Sequence, residues 1–393
     1  MVKLYIDNVD HGGGVISTYQ VEQPTYSFRL NDPGDCSWEI ALSQTRVGGG
    51  NLIENEFAPK RTDYVLKTAA GTELQGGRLL SVGLESDTGL IKCSGKDWLE
   101  YLDQPWPFDY SLTPETLAQN VDKVFKAYID VAGTDTNNIL YNITQQKILQ
   151  NFITIANTLS DITYNPVFFG TNWTEVMQYF IQYLDSTTIL SHIKAIAALN
   201  DPLGFDFWCD WDKTIYFYSP RIVAHPSSVI TAIDLAYNST DPVVHVVWEN
   251  HGPKATHTVA KNSGGIWKES IYTPSVDQFR EFLEIIDLAE RFNIATTATI
   301  LKHLVAVGAD AVGTLDRNPQ KDLILQAIPE RLFSGSEEGG FQSLVGQAIS
   351  YDSVDEFAPY HRINAEYFVV TQDFKTEDDS GNFIVELGLQ QIY

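Results

Sequence analysis

The chain has 393 residues, 44% apolar and 12% aromatic, which is enough for two or three domains with sizeable cores and excludes gross disorder. Its 51 Asp and Glu outweigh 26 Lys and Arg, for a formal charge of -25. That balance argues against a protein that grips phosphate backbones, because such binding depends on basic neutralisation. It suits solubility in a crowded setting, and is compatible with a surface that DNA slides past.

Residues 1 to about 105 read as β. Val2, Leu4 and Ile6 alternate with Lys3, Tyr5 and Asp7, the period of a strand with one buried face. Turn signals recur at 11–14, 31–35, 48–50, 70–72, 75–77 and 85–89, with short apolar stretches between them, the spacing of a barrel or sandwich. Trp98, Tyr101 and Leu102 then form a short amphipathic turn, and the prolines of Gln104-Pro105-Trp106-Pro107 mark a boundary.

Residues 113 to about 200 read as helical. Thr113 caps a first helix with Pro114 at its first position and Leu117, Val121, Val124 and Tyr128 on one face. Thr144 begins a second, with Ile148, Phe152, Ile155 and Leu159 in register. Asn172, followed three residues later by Glu175, begins a third, and Ile189, Ile193 and Ile196 continue the pattern to Ala198.

From 205 the β pattern returns, with a hairpin of Phe205–Trp211 and Ile215–Tyr218 across Asp212-Lys213, then a strand from Val243 to Trp248. Ser275-Val276-Asp277-Gln278 reads as a capping box ahead of Phe279, Phe282, Leu283 and Ile286, with helix to about Val307. A final β stretch from about 320 closes with Phe383, Val385, Leu387 and Leu389 on one face. The expected fold class is α+β: two β-barrel domains, a helical domain between them and a helical insertion in the second. The expected domains are 1–105, 106–203, 204–270 with 315–393, and the insertion 271–314, an order that suggests an ancient duplication.

Cys36, Cys93 and Cys209 form no CxxC pair and read as buried small apolar residues of a protein made in a reducing cytoplasm. The opening residues show no signal peptide, and no apolar run approaches the roughly 20 residues of a membrane helix. The sequons at Asn142, Asn172 and Asn238 are therefore chance matches, and export is expected by lysis.

His245, His251 and His257 are spaced by six residues, but a common metal site needs a hairpin to unite them and a further ligand. Asp206, Asp210 and Asp212 lie among Phe207, Trp208 and Trp211, where a glycosidase needs two carboxylates facing each other across a sugar. On one strand they read instead as a half-exposed hairpin edge, or with the tryptophans as a sugar-binding platform. Gly12–Gly14 and Gly48–Gly50 lack the Lys-Ser/Thr of a phosphate loop, and Glu337-Glu338 and Glu377-Asp378-Asp379 read as solvated turns. No catalytic, cofactor-binding or metal-ligating residue is assigned, and an assembly module rather than an enzyme is expected.

Three stretches together resemble the tail-tip or baseplate hub proteins of tailed bacteriophages. The first is Leu80–Leu84 with Ile91-Lys92-Cys93-Ser94-Gly95-Lys96-Asp97-Trp98 and on to Leu102, like the end of that family's first barrel. The second runs from the Ile189 helix through Leu203-Gly204-Phe205-Asp206-Phe207-Trp208 to Ile215–Arg221, like the passage from helix to second barrel. The third comprises Leu344–Gln347, Tyr360–Ile363, Gln372-Asp373-Phe374 and Val385–Leu389, like that barrel's last strands. The sequence departs from the family in the aromatic linker Pro105–Tyr110 and in the segment 275–307.

The resemblance implies a homotrimer whose six barrels form a pseudo-sixfold ring in the phage tail. Its implied partners are other copies of itself, the tail tube or distal tail proteins, and spike, fibre or tape-measure proteins. DNA would pass without specific binding, beside a bore in which carboxylates repel phosphates within roughly 8 Å. No cofactor and no membrane insertion is implied. The competing readings are a carbohydrate- or receptor-binding tail protein and an acidic glycan hydrolase. Trp208, Trp211 and Trp248 exposed together in a groove would favour sugar binding.

Overall fold

The computed structural model describes residues 3–10, 14–43, 47, 56–103, 139–159, 162–174, 176–180, 188–198, 204–219, 233–236, 243–250, 257–261, 267–271, 283–287, 321–332, 339–352, 364–377 and 382–391. The first seven strands are β1 (Leu4–Val9), β2 (Val15–Gln20), β3 (Glu22–Arg29), β4 (Asp35–Ala41), β5 (Asp63–Thr68), β6 (Glu73–Glu85) and β7 (Leu90–Asp97). Their burial follows the sequence period: in β4, Cys36, Trp38 and Ile40 point into the core while Asp35, Ser37 and Glu39 point away.

The middle segment holds β8 (Ile139–Thr144), α1 (Gln145–Leu159), β9 (Asn165–Gly170), β10 (Val176–Phe180), α2 (Ile189–Ala197), β11 (Asp206–Cys209) and β12 (Thr214–Ser219). Two expected helices are present, α1 directly after Thr144 and α2 with Thr188 accepting from the Ser191 N–H as its cap. The helix expected from Asn172 is not formed. A 3-10 turn at Asn172–Thr174 gives way to β10, which pairs with β8. Val176-Met177-Gln178-Tyr179-Phe180 is β-branched and aromatic enough to take a strand once a partner lies alongside, which overrides the local cap signal. The helix expected from Thr113 lies outside the described residues.

The remaining strands are β13 (Ile233–Ala236), β14 (Val243–Asn250), β15 (His257–Lys261), β16 (Trp267–Ile271), β17 (Leu283–Asp287), β18 (Lys321–Ala327), β19 (Ala348–Asp352), β20 (Asn364–Glu377) and β21 (Asn382–Gln391). The strand expected from Val243 is β14. The helix expected from Ser275 to about Val307 is corrected at 283–287, where β17 pairs in parallel with β15. The adjacent β-branched Ile285 and Ile286 fit that ladder better than a helix.

One 13-stranded sheet carries both β sets, in the order β14-β18-β21-β20-β3-β4-β7-β6-β5-β1-β2, with β13 joined through β19 to β20. The path ends in β14 and β2, and among the described residues neither set closes on itself. The join is the antiparallel pairing of Thr371–Phe374 with Arg29–Tyr26. A single core lies on one face, running from Leu4, Trp38 and Tyr64 to Leu325, Phe374 and Leu387. Its buried amides are paired: Gln75 donates to the Ser27 carbonyl at 2.7 Å, and Gln372 accepts from the Leu344 N–H at 2.6 Å.

The hairpin at 205–219, expected to lead into the second barrel, instead joins the middle unit. β12 pairs in parallel with β9, and Phe205, Phe207 and Phe217 share a second core with Phe152, Ile193 and Trp98. Ring packing at two places helps to seat this unit on the large sheet. At β6 the Trp98 ring lies where a side chain on Gly76 would be, within 2.6 Å of an ideal Cβ. At β20, Tyr218 and Phe368 are buried together, with Trp208 packed beside them.

Asn31, at φ 62, docks the β3–β4 turn onto β11. Its N–H donates to the Phe207 carbonyl at 2.8 Å, its Oδ1 accepts from the Phe207 N–H at 2.8 Å, and its Nδ2 donates to Asp206 at 2.6 Å. Asn31→Ala strands the Phe207 N–H and replaces a residue that tolerates left-handed backbone with one that does not, an expected cost of about 2–3 kcal/mol. Hydrogen exchange of the Phe207 amide should accelerate ahead of the β4 amides; unchanged protection there would show that the turn is not what holds the hairpin.

Candidate functional site: a polar sheet face

The large sheet buries one face in the apolar core, and the positions of the opposite face, covered in part where the middle unit sits at Gly76 and Phe368, form rows across strands distant in sequence. One row runs His245–Gln326–Glu386–Asp373–Ser27 over β14, β18, β21, β20 and β3. A second continues Thr25–Ser37–Ser94–Ser81 over β3, β4, β7 and β6. The hydroxyls join in pairs, Thr25 with Ser37 and Ser81 with Ser94, each at 2.6 Å. Gly83 leaves a gap in the side-chain layer while Thr371 Oγ1 fills the space over Gly388, and the paired Ile324 and Val247 are apolar positions on it, 38% and 36% exposed.

The charged groups of this face sit in opposed pairs. Arg29 meets Asp373 at 2.5 Å, Lys375 meets Glu386 at 3.8 Å, and Lys96 meets Glu100 at 3.6 Å. Lys92 lies 3.0 Å from Glu85 and 3.6 Å from Glu39. Gln326 donates to Glu386 at 3.0 Å. The carboxylates expected to dominate a bore wall are, on these strands, interleaved with cations.

The residues singled out from sequence fall elsewhere. Asp206 is buried against Asn31. Asp210 and Asp212 shape the hairpin turn: Asp210 accepts from the Trp211 N–H and Asp212 from the Thr214 N–H, both at 2.9 Å. Burial raises the Asp210 carboxyl above its ordinary range, with the Asp212 charge adding to it. Trp208 is half-buried and stacked on Tyr216 at 5.4 Å. Trp211 is 38% exposed at the turn, its carbonyl accepting from the Trp98 indole at 2.6 Å. The side chain of Trp248 lies outside the described residues. His245 is exposed on the large sheet, His257 belongs to the separate β15–β17 sheet and meets Glu269 at 2.6 Å, and His251 lies outside the described residues. The three cysteines are buried free thiols. Burial pushes the Cys36 thiol well above its ordinary range and Cys93 up to about 12, which leaves both protonated and unreactive.

No protein-family model matches the sequence, and no curated protein matches it. Solved structures do, over nearly the whole chain. A 43 kDa tail protein of prophage MuSo2 from Shewanella oneidensis aligns with TM-score 0.61 at 13% identity, covering 99% of this chain and 96% of that one. A tail protein from Neisseria meningitidis MC58 gives 0.59 at 13% identity, over 99% and 95%. The chain has the fold of a phage tail protein. A third tail-protein match, prophage gp18 from Listeria monocytogenes EGD-e, gives 0.51 at 9% identity, over 99% and 94%. At such identities it is the path of the chain that is shared.

The polar rows were half visible in the sequence. Asp35-x-Ser37-x-Glu39 and Lys92-x-Ser94-x-Lys96 alternate with core residues, so their outward direction is legible. That Lys92 faces Glu39, and Arg29 faces Asp373, is a matter of register between strands and has no local signal.

Proposed function

We propose that this chain is a structural, non-enzymatic hub subunit of a phage tail tip or baseplate. It assembles as a homotrimeric ring that joins the hexameric tail tube to a threefold spike or fibre and lines the DNA channel. The single observation that supports this reading most is the continuous sheet, within a fold shared with tail proteins over 99% of the chain, with one face apolar and buried and the other carrying rows of polar and charged side chains. In this reading the two β sets, 1–105 and 204–270 with 315–393, take the two barrel positions of each subunit. The segment 106–203, extended by the hairpin at 205–219, sits between them, and 271–314 is an insertion. The partners are further copies of this chain, tail-tube or distal tail proteins, and spike, fibre or tape-measure proteins, in a particle built in the host cytoplasm.

Light scattering with negative-stain microscopy of the purified chain tests it. A trimeric ring with a central channel is expected. A monomer that also fails to form a ring when mixed with its tail-tube protein would count against the hub.

A further inference from the structure

We propose that the polar face is largely self-neutralised: Arg29, Lys92, Lys96 and Lys375 are held by carboxylates of the same face, so duplex DNA travelling along it meets mainly hydroxyls and ion pairs. This deepens the bore reading above and rests on it for its biological role, while the surface property belongs to the chain itself.

Among the described side chains of this face, Arg29, Lys92, Lys96 and Lys375 are each within 4 Å of a carboxylate, at Asp373, Glu39 with Glu85, Glu100 and Glu386. Arg78, within β6 and opposite Lys96, is the exception: it is held by the Lys60 carbonyl at 2.8 Å and lies 4.6 Å over the Tyr101 ring rather than beside a carboxylate. A phosphate that approaches Arg29 must also approach Asp373. The two charges lie far closer together than the roughly 8 Å screening length, so the field felt by the phosphate is that of a dipole and falls off within a strand or two. DNA affinity comes from cations that release condensed counterions, and a cation already matched by a carboxylate releases none. Between the charged pairs, Thr25, Ser37, Ser81 and Ser94 satisfy one another by hydrogen bonds across the strands. Such a wall needs no strong negative potential to let a polyanion pass. The net charge of -25 then resides mainly off this face and serves solubility.

The test is a gain of binding. Glu39→Gln with Glu85→Gln releases Lys92, Asp373→Asn releases Arg29 and Glu386→Gln releases Lys375. A control, Asp10→Asn, Asp87→Asn, Asp103→Asn and Glu269→Gln, removes the same charge from exposed positions off the face. Both are titrated with a short mixed-sequence DNA duplex, using anisotropy, beside the unaltered protein. The face variant should bind, and its affinity should fall about 40-fold between about 50 and 200 mM salt, the dependence for three phosphate contacts. The control and the unaltered protein should show no salt-dependent binding. Binding by the unaltered protein, equal binding by both variants, or no binding by a face variant of native circular dichroism would overturn the proposal. Should the combined variant not fold, Asp373→Asn and Glu386→Gln singly are each expected to give a salt slope of about one, and their silence would overturn it equally. The hub reading fails separately: a chain that forms no ring but gains DNA binding in the face variant keeps this inference and loses the bore.

Discussion

Replacing Phe374 by alanine is expected to cost about 3–5 kcal/mol and to part the two β sets. Phe374 is fully buried and stacks on Tyr26 at 4.2 Å, with Phe28 at 6.2 Å and Phe341 at 6.0 Å around it. It also stands in register with Tyr26 at the end of the short ladder joining β20 to β3. That ladder is the only strand pairing between the two sets among the described residues, so the hole opens where the sheet has least to spare. Tyr26 is tied to the same place by its hydroxyl, which donates to the Phe341 carbonyl at 3.1 Å. Urea unfolding should shift to lower denaturant and lose its single-step character, with the C-terminal strands opening first. Phe374→Leu keeps most of the volume and should cost under about 1.5 kcal/mol. An alanine variant that loses less than about 1 kcal/mol would show that the β20–β3 backbone ladder, rather than the Phe374 ring, holds the junction.

The second large effect is expected at Asp97. Its carboxylate accepts from the Gly34 N–H at 2.7 Å and, as cap of the Trp98–Leu102 turn, from the Leu99 N–H at 2.9 Å. The Asp97 N–H returns a bond to the Gly34 carbonyl at 2.9 Å. One side chain thus holds the β3–β4 turn, the end of β7 and the start of the middle unit. Burial raises its pKa from 3.8 to about 7; the two backbone N–H groups pull it down less than burial pushes it up, and Asp35 and Glu100 add to the rise.

The folded state therefore binds this proton more tightly than the unfolded chain. Stability from this group is greatest below about pH 4 and is lost as pH climbs towards about 7, by up to about 4 kcal/mol. At pH 5, where the folded carboxyl is protonated and carries no ionisation penalty, Asp97→Ala leaves two buried N–H groups unpaired and should cost about 2–5 kcal/mol. At pH 8 the difference should shrink, because alanine also removes the buried charge. Asp97→Asn keeps one acceptor and no charge. Its urea midpoint, subtracted from that of the unaltered protein across pH 4–8, should isolate the Asp97 titration, and a pH-independent difference would refute the assignment.

Much of this architecture is legible in the sequence, and the pattern of what is not has a physical cause. The inward and outward faces of β4, β7 and β21, the α1 and α2 faces, and the 206–219 hairpin with Lys213 at φ 68 are set by periods and turn preferences acting over a few residues. Those signals decide how a segment looks to whatever lies beside it. They do not decide what lies beside it.

Arg29 and Asp373 are 344 residues apart, and only the register of β3 on β20 makes them an ion pair. The hairpin reads equally well as part of either unit, and the parallel pairing of β12 with β9 places it in the middle one. Residues 176–180 and 283–287 carry helix-like signals, yet become strands because β8 and β15 offer hydrogen-bond ladders that a helix cannot use. A strand satisfies its backbone through a neighbour and a helix satisfies it alone. The sequence by itself therefore determined the elements that bond within themselves and the face each strand buries. The joining of the two β sets into one sheet, and with it the composition of the polar face, was decided only in the tertiary structure.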